Sequence, residues 1–426
     1  MNRFAILYSL IVLFFIVGCN SKNRPEVFDL RCESLQNPLG IDKTTPRLSW
    51  KISSEKNGTE QKAFQILVAA ERSDLTENKA DLWNSGKVES SASIFLPYQG
   101  QKLNSGTAAW WKIRVWDEAG NISNWSEPAR FSIGLLSEND WQASYIAFNT
   151  ENGYRECPQL YQTFEVDETN SNYFLHVNSL GYHEVFINGK KVDDGVLSPA
   201  VSQFDKRSLI NTYDVSDLLQ KGKNELILWL GSGWYTEGLP GVANNGPVVR
   251  AQLEKVENNQ REIILATDEN WKGRKSSYTR HGNWRPNQFG GEIVDGVLAK
   301  NDLQTDYPEN PWQPVSLVNI PVHGASPQMT EQNAITETIS PVSIEEIAPD
   351  TFLVDMGKTL PAGWNFIFQI CKKRRKLNWI TATTLSMASG LMTGTNGISI
   401  SPPVLRLKRS TINSITTDSD TFGLPG

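Results

Sequence analysis

LGYHEVFINGKKV, residues 180–192, is the stretch that decides the fold. Asn188 and Gly189 supply the positive φ angles that a two-residue hairpin turn needs. The segments on either side of this turn can then pair as antiparallel strands. Residues 184–192 are therefore predicted to form a β-hairpin.

Strands and turns continue on both sides of the hairpin, between residues 140 and 314. Residues 216–219 allow at most one helical turn, and turn residues such as Asn258–Asn259 separate the apolar runs. The predicted strands lie at residues 173–177, 225–230, 250–256 and 262–267. This pattern predicts an all-β domain of jelly-roll-like, carbohydrate-binding type over residues 140–314.

A second all-β domain precedes it, over residues 25–136. Polar and apolar residues alternate at 47–52 and 64–68 and most clearly at 111–116, and such alternation buries one face of a sheet. Short strands separated by turns over about 100 residues predict a fibronectin- or immunoglobulin-like sandwich. The fold class is therefore all-β, with tandem β-sandwiches.

The C-terminal part divides at residue 369. Residues 315–369 have the pattern of a further β-sandwich that begins here, and no long amphipathic helix is predicted. Residues 370–426 lose the alternation and contain eight basic but two acidic residues. We interpret this tail as aberrant or disordered, produced by a frame shift or gene decay; a divergent linker is the alternative. The basic run at 372–376 is then an accident of translation.

The N-terminus has the pattern of an export signal. A basic start and an apolar run of about 14 residues lead to Ile16-Val17-Gly18-Cys19. This ending resembles the bacterial lipobox, so residues 1–19 are predicted to be a lipoprotein signal peptide with Cys19 as the lipidation site. Residues 20–24 would be a tether, and the chain an exported lipoprotein anchored at the outer membrane or periplasmic face. A plain signal peptide with a chance cysteine is the alternative.

The composition of the chain argues against some partners and is compatible with others. The net charge of −6 argues against nucleic acid as a partner. With Cys19 lipidated, an odd number of cysteines remains, which argues against a disulfide framework and leaves a Cys32–Cys157 bridge open. The 14 tryptophans suit β-sandwich cores, and they also suit carbohydrate binding, since sugars stack on indole rings.

Several motifs together resemble bacterial α-L-rhamnosidases. Residues 180–189 are similar to a run typical of that family, and the resemblance extends in consistent order over roughly residues 26–369. The other matching segments are 110–126, 197–200, 213–219, 230–235, 290–296, 355–357 and 363–364. The resemblance implies a relationship to inverting glycoside hydrolases, which release terminal α-L-rhamnose. In that family the two catalytic carboxyl groups come from a downstream (α/α)6 barrel. No such barrel is recognised here, so no catalytic residue is assigned and enzymatic activity is left uncertain.

The resemblance also implies a carbohydrate site, in some members with bound calcium. The predicted carbohydrate-binding residues are Asn188, Trp234, Tyr235, Glu237 and Glu292. Calcium takes six to eight oxygen ligands, and the residue at position 232 is Ser where relatives carry Asn or Asp, which offer a better ligand. Calcium is therefore left open as a cofactor. The alternative is that Trp234 and Tyr235 pack a sheet edge while Glu292 caps a turn.

Three functions follow from these patterns. The first is a truncated, non-catalytic N-terminal part of an α-L-rhamnosidase. The second is a surface carbohydrate-binding lipoprotein whose partner is a rhamnose-containing glycan. The third is a structural module that docks a separately encoded catalytic chain.

Overall fold

The computed structural model describes residues 24–151, 153–204, 206–235, 246–257, 259–281, 291–320, 324–348, 351–355, 357, 376–378 and 405–406. The chain divides into two compact units. The first falls within Met1–Leu136 and takes in Asn258–Gln260, and the second falls within Ser137–Glu257 and Arg261–Gly426. Among the described residues, none of the helices has the length and apolar character needed to cross a membrane.

The described part of the first unit is a two-sheet sandwich of short strands. A three-stranded sheet has the order β1-β2-β6, and a five-stranded sheet has the order β4-β3-β7-β8 with β5 paired to β3. The strands are β1 (Glu26–Cys32), β2 (Arg47–Ser53), β3 (Gln61–Ala69), β4 (Trp83–Asn84), β5 (Val88–Glu89), β6 (Leu96–Pro97), β7 (Ala108–Asp117) and β8 (Ala129–Ser132).

Strict alternation along β7 builds the core of this unit. Trp111, Ile113 and Val115 are fully buried, whereas Lys112 and Arg114 point outward. The outward cations cover aromatic surface: Lys112 Nζ and Arg114 Cζ lie 5.0 and 4.6 Å from the centre of the Trp125 ring. Tryptophan therefore serves both faces of the strand, in the core and beneath surface cations.

The second unit contains the remaining strands in the described residues. They are β9 (Ile146–Ala147), β10 (Gln159–Val166), β11 (Asn172–Leu180), β12 (Tyr182–Ile187), β13 (Lys190–Lys191), β14 (Gly195–Val196), β15 (Arg207–Asp214), β16 (Gly222–Gly231), β17 (Val248–Glu257), β18 (Gln260–Ala266), β19 (Lys272–Arg274), β20 (Tyr278–His281), β21 (Gly291–Asp295), β22 (Gln313–Pro314), β23 (Ser316–Leu317), β24 (Gly324–Pro327), β25 (Asn333–Ala334), β26 (Ser343–Ala348), β27 (Thr351–Asp355), β28 (Lys376–Asn378) and β29 (Leu405–Arg406).

Five short 3-10 helices complete the described secondary structure of the two units. They are Arg72–Asp74, Glu138–Asp140, Gly153–Arg155, Ser216–Leu218 and Gly233–Tyr235. The one helical turn predicted at residues 216–219 is thus confirmed as a 3-10 turn at Ser216–Leu218.

Two large sheets of the second unit enclose its main core. One has the order β13-β12-β16-β10-β19-β22, and the other β23-β9-β17-β11-β15-β24 with β18 paired to β17. Leu226, Leu228 and Leu230 of β16 enter the core between them, and Ile227 and Trp229 pack in a second cluster with Phe186 and Tyr278. Two smaller sheets, β14-β25 and β20-β21-β28-β29-β27-β26, complete the pairing.

The predicted hairpin is confirmed. Strands β12 and β13 pair antiparallel, and Asn188 and Gly189 between them have φ angles of 51° and 76°. The prediction of an all-β chain of sandwiches is confirmed as well.

Residues beyond 314 contribute to the second sandwich. β23 pairs with β9, and β24 runs parallel to β15. The predicted boundary between residues 314 and 315 therefore cuts through one sheet, because strands distant in sequence complete it. Of the predicted aberrant tail, only β28 and β29 lie in the described residues, and their side chains are not described.

Candidate functional site

Asn188, the first residue predicted to bind carbohydrate, fixes the hairpin turn. Its Nδ2 donates to the Leu218 carbonyl at 3.0 Å and to Asn224 Oδ1 at 2.8 Å, and its Oδ1 accepts from the Glu225 N–H at 3.0 Å. The amide therefore ties the turn to the start of β16. These contacts define a structural role for Asn188.

Trp234 and Tyr235 lie in the 3-10 turn that follows β16. Tyr235 is fully buried and packs edge-on against Phe204, with 5.5 Å between ring centres. Trp234 is 42% exposed. Gly233, before it, packs closely on the Tyr182 ring, because a β-carbon added at position 233 would lie only 3.0 Å from that ring. Tyr235 thus anchors the turn while Trp234 presents aromatic surface to solvent.

Of the predicted residues, Asn188 and Trp234 lie apart in the structure. Asn188 lies beside Glu225 and Trp234 follows Gly231, which places them roughly 20 Å apart along β16. Glu237 lies outside the described residues, and of Glu292 only the backbone, in β21, is described.

The described residues contain no cluster of carboxylates that could hold calcium. Among them, no group of three or more His, Cys, Asp or Glu side chains could hold a metal ion. The Oδ1 atom of Asn188 already accepts a backbone hydrogen bond, and the Ser232 hydroxyl donates to the Tyr154 carbonyl. No step is therefore assigned to calcium, and the calcium site stays a prediction.

Two of the cysteines and His183 are buried in the described residues. Cys32 and Cys157 are both buried, and no disulfide joins them. His183 is buried in the second unit, with Nδ1 2.7 Å from Ser179 Oγ and Nε2 2.8 Å from Tyr213 Oη. Burial lowers the pKa of His183 to about 3, so the ring is neutral. His183 therefore belongs to a core hydrogen-bond network.

A polar face of β17 is the feature that the sequence analysis missed. Arg250, Gln252 and Glu254 alternate with the core residues of this strand and are themselves buried. Gln252 Nε2 donates to Glu254 Oε1 at 2.6 Å and to the Asp140 carbonyl at 2.9 Å. Segment 138–145 thus lies over the outer side of the sheet through hydrogen bonds that local patterns do not encode.

An open cleft of about 470 Å³ lies at the end of this polar face. Arg250 lies within it, and its guanidinium carbon is 4.1 Å from the centre of the Trp141 ring and 4.7 Å from that of Tyr145. The cleft is lined by Glu138, Ala143, Ser144, Tyr145, Arg250, Leu317, Val318, Asn319, Ile320 and Gly324. Arg250 is therefore a buried cation in contact with two aromatic rings at this cleft.

The two units match family models in the same order. Residues 27–137 match the N-terminal immunoglobulin domain of Rha78A-like proteins, and residues 168–337 match the α-L-rhamnosidase N-terminal domain. The chain carries the N-terminal region of the α-L-rhamnosidase family. Its fibronectin- or immunoglobulin-like first sandwich and its second, larger sandwich are thus the β domains of this family.

Whole-chain comparisons agree with this assignment. An α-L-rhamnosidase of Formosa agariphila is 30% identical over an alignment 422 positions long, which covers 90% of this chain and 44% of that protein. A second, from Alteromonas sp., is 29% identical over 83% of this chain and 40% of its own length. The chain thus spans less than half the length of these curated relatives.

Solved structures support the same fold. The structure of α-L-rhamnosidase from Dictyoglumus thermophilum aligns with a TM-score of 0.67 and 28% identity, over 78% of this chain and 38% of that one. The Streptomyces avermitilis α-L-rhamnosidase complexed with L-rhamnose aligns with the same TM-score at 18% identity, over 79% and 49% of the two chains. The second likeness shows the fold alone.

Proposed function

We propose that this chain is the non-catalytic N-terminal part of an α-L-rhamnosidase, a glycoside hydrolase that acts on terminal α-L-rhamnose of glycans. The observation that carries the proposal is the match of both sandwiches, in order, to the N-terminal domain models of this family. In this role the β units support chemistry that is performed elsewhere in the enzyme.

Two buried carboxylates of the described residues, Glu184 and Glu254, are engaged in ion pairs. An inverting glycosidase needs two carboxyl groups about 6.5–9.5 Å apart across an open substrate site. The buried Glu184 Oε1 lies 2.6 Å from Lys191 Nζ, and the buried Glu254 is paired with Arg261. Both carboxylates are held by ion pairs and packed strands, and neither lines the described cleft.

The first test is rhamnose release by the purified chain from an aryl α-L-rhamnoside. We expect none above background, with the Formosa agariphila relative as the positive control. Release that disappears in Glu184→Gln or Glu254→Gln, with the fold retained, would place catalytic carboxylates in the β units and reject the proposal.

A second candidate function is carbohydrate binding by the chain itself, favoured by the exposed indole of Trp234. Saturable binding of L-rhamnose in a calorimetric titration, with and without calcium, would support it. The binding should be lost in Trp234→Ala and kept in Trp125→Ala, which removes a tryptophan of the first unit. Equal binding by both variants would exclude the turn at Gly233–Tyr235 as the site.

We also propose that Cys19 carries a lipid anchor that holds the chain at the outer membrane or periplasmic face. Bacterial cells that express the chain and are fed an alkyne fatty acid should label it. The label should disappear in Cys19→Ala and remain in Cys32→Ala, since Cys32 is buried in the first unit. Labelling of Cys19→Ala would reject the anchor at this residue.

A further inference from the structure

Arg250 is a buried cation with an incomplete set of partners. It is 5% exposed, and its Nη1 and Nη2 lie 2.7 and 3.1 Å from the carboxylate oxygens of Glu138. Within the described part of the chain, its Nε–H is buried and meets no acceptor. A guanidinium has five N–H donors in a planar fork, and a buried donor without an acceptor costs free energy.

Glu138 is a solvent-exposed partner for this cation. Its side chain is 65% exposed, on a 3-10 turn of three residues. Water therefore reaches the carboxylate of Glu138, whereas the guanidinium of Arg250 is shielded from it. Asp140 holds the turn itself, through its ion pair with Arg261 at 2.9 Å, so Glu138 can swing outward without unfolding the turn.

The cleft around Arg250 is large enough for a small ligand. Its volume of about 470 Å³ falls within the range of ligand pockets, about 300–1,000 Å³. Leu317, Val318 and Ile320 give it an apolar side, and Leu317 is 54% exposed. Apolar surface beside a fixed cation matches a sugar ring that carries an acidic group.

We propose that this cleft binds the carboxylate of a uronic acid unit in a glycan, with Arg250 as its anchor and Glu138 as the carboxylate that it displaces. The geometry favours a carboxylate because Glu138 already presents one to the guanidinium fork, and such pairs are bidentate. L-Rhamnose has no carboxylate, so this site recognises a different sugar. The inference therefore does not depend on the proposed function.

The test is a calorimetric titration of the full chain with methyl β-D-glucuronide and with the neutral methyl β-D-glucoside. We expect saturable binding of the glucuronide and none of the glucoside. Glu138→Gln removes the internal competitor, and the glucuronide should then bind about tenfold more tightly. Glu165→Gln, at an exposed position away from the cleft, should leave the affinity unchanged.

Two further variants test the anchor. Arg250→Gln should abolish glucuronide binding. Leu317→Glu adds a negative charge at an exposed position of the cleft, so it should weaken binding even if Arg250→Gln fails to fold. No binding to the wild type or Glu138→Gln, or equal binding of the two glycosides, would overturn the proposal. So would sodium acetate or sulfate binding as tightly as the glucuronide, because the site would then recognise only a small anion.

Discussion

Glu254 and Arg261 form a bidentate ion pair in which Arg261 Nε lies 2.8 Å from Oε2, and Nη2 lies 2.6 Å from Oε1, of a fully buried carboxylate. Arg261 Nη1 also contacts Asp140 Oδ1 at 2.9 Å. The pair therefore joins two strands to the segment that carries Glu138 and borders the cleft at Arg250.

Arg261→Met should destabilise the second unit by about 3–5 kcal/mol, because it leaves the buried carboxylate of Glu254 without its cation. The double variant Arg261→Met with Glu254→Leu should recover most of this loss. The measurement is the free energy of unfolding in urea, with Arg207→Met at an exposed position as the control. A double variant as unstable as Arg261→Met would show that packing, not charge, decides stability here.

Acid should weaken this same pair. Burial alone raises the pKa of Glu254, but the contacts with Arg261 and His176 outweigh it and hold the pKa at about 2, below the ordinary 4.5. A lowered folded-state pKa contributes stability that is complete above pH 4.5 and is lost as the pH falls towards 2. Circular dichroism during acid titration should therefore show Glu254→Gln losing less stability over this window than the wild type. Equal losses would assign acid unfolding to other groups.

Protonation of His183 should destabilise the fold as the pH falls below about 6.5, a higher pH than the one at which Glu254 acts. Its pKa lies at about 3 because burial disfavours the charged ring, whereas an unfolded histidine titrates near 6.5. Stability is complete above pH 6.5 and falls below it, by about 2 kcal/mol at pH 5. Urea unfolding at pH 7 and pH 5 should show this loss in the wild type and not in His183→Asn. A pH dependence that survives in His183→Asn would exclude His183 as its cause.

The local pattern of the sequence predicts much of the fold. Asn188–Gly189 predicts the hairpin because few residue pairs adopt two positive φ angles, and residues 111–116 predict β7 because each side chain faces core or solvent in turn. These features depend on neighbouring residues alone, so one sequence is enough to read them.

The cleft and the domain boundary could not be predicted in this way. The polar residues of β17 indicate a strand, but their burial depends on segment 138–145, more than 100 residues away. β24 pairs with β15 in parallel, also across more than 100 residues. Such contacts depend on the assembled sheets, and no local periodicity signals them.

Asp302→Asn should stabilise the second unit at neutral pH. Asp302 is buried, and burial raises the pKa of its carboxyl group to about 6, above the ordinary 3.8, although Oδ1 accepts a hydrogen bond from the Ser277 N–H at 2.9 Å. A raised folded-state pKa means that the protonated form is preferred, so stability is complete below pH 3.8 and is lost as the pH rises through 6. An asparagine keeps the acceptor without the charge, and the gain at pH 8 should reach up to about 3 kcal/mol.

The control for Asp302 is Asp306→Asn, at an exposed position, which should change the unfolding free energy by less than about 0.5 kcal/mol. Urea unfolding at pH 4 and pH 8 separates the effect of removing the charge of Asp302 from any other effect of the substitution. A stabilisation by Asp302→Asn that is equal at both pH values would show that charge burial is not its origin.

Asn188 should stabilise the hairpin in two separable ways, through its φ angle of 51° and its amide hydrogen bonds. Asn188→Gly keeps the backbone conformation and loses the amide, at a cost of about 1–3 kcal/mol. Asn188→Ala loses both and should cost about 1 kcal/mol more, since a β-carbon disfavours this conformation. Thermal unfolding measures both variants against Lys190→Ala at the exposed neighbouring position. If Asn188→Gly were as stable as the wild type yet bound L-rhamnose more weakly, the amide would serve a ligand and the predicted carbohydrate role of Asn188 would replace the structural one.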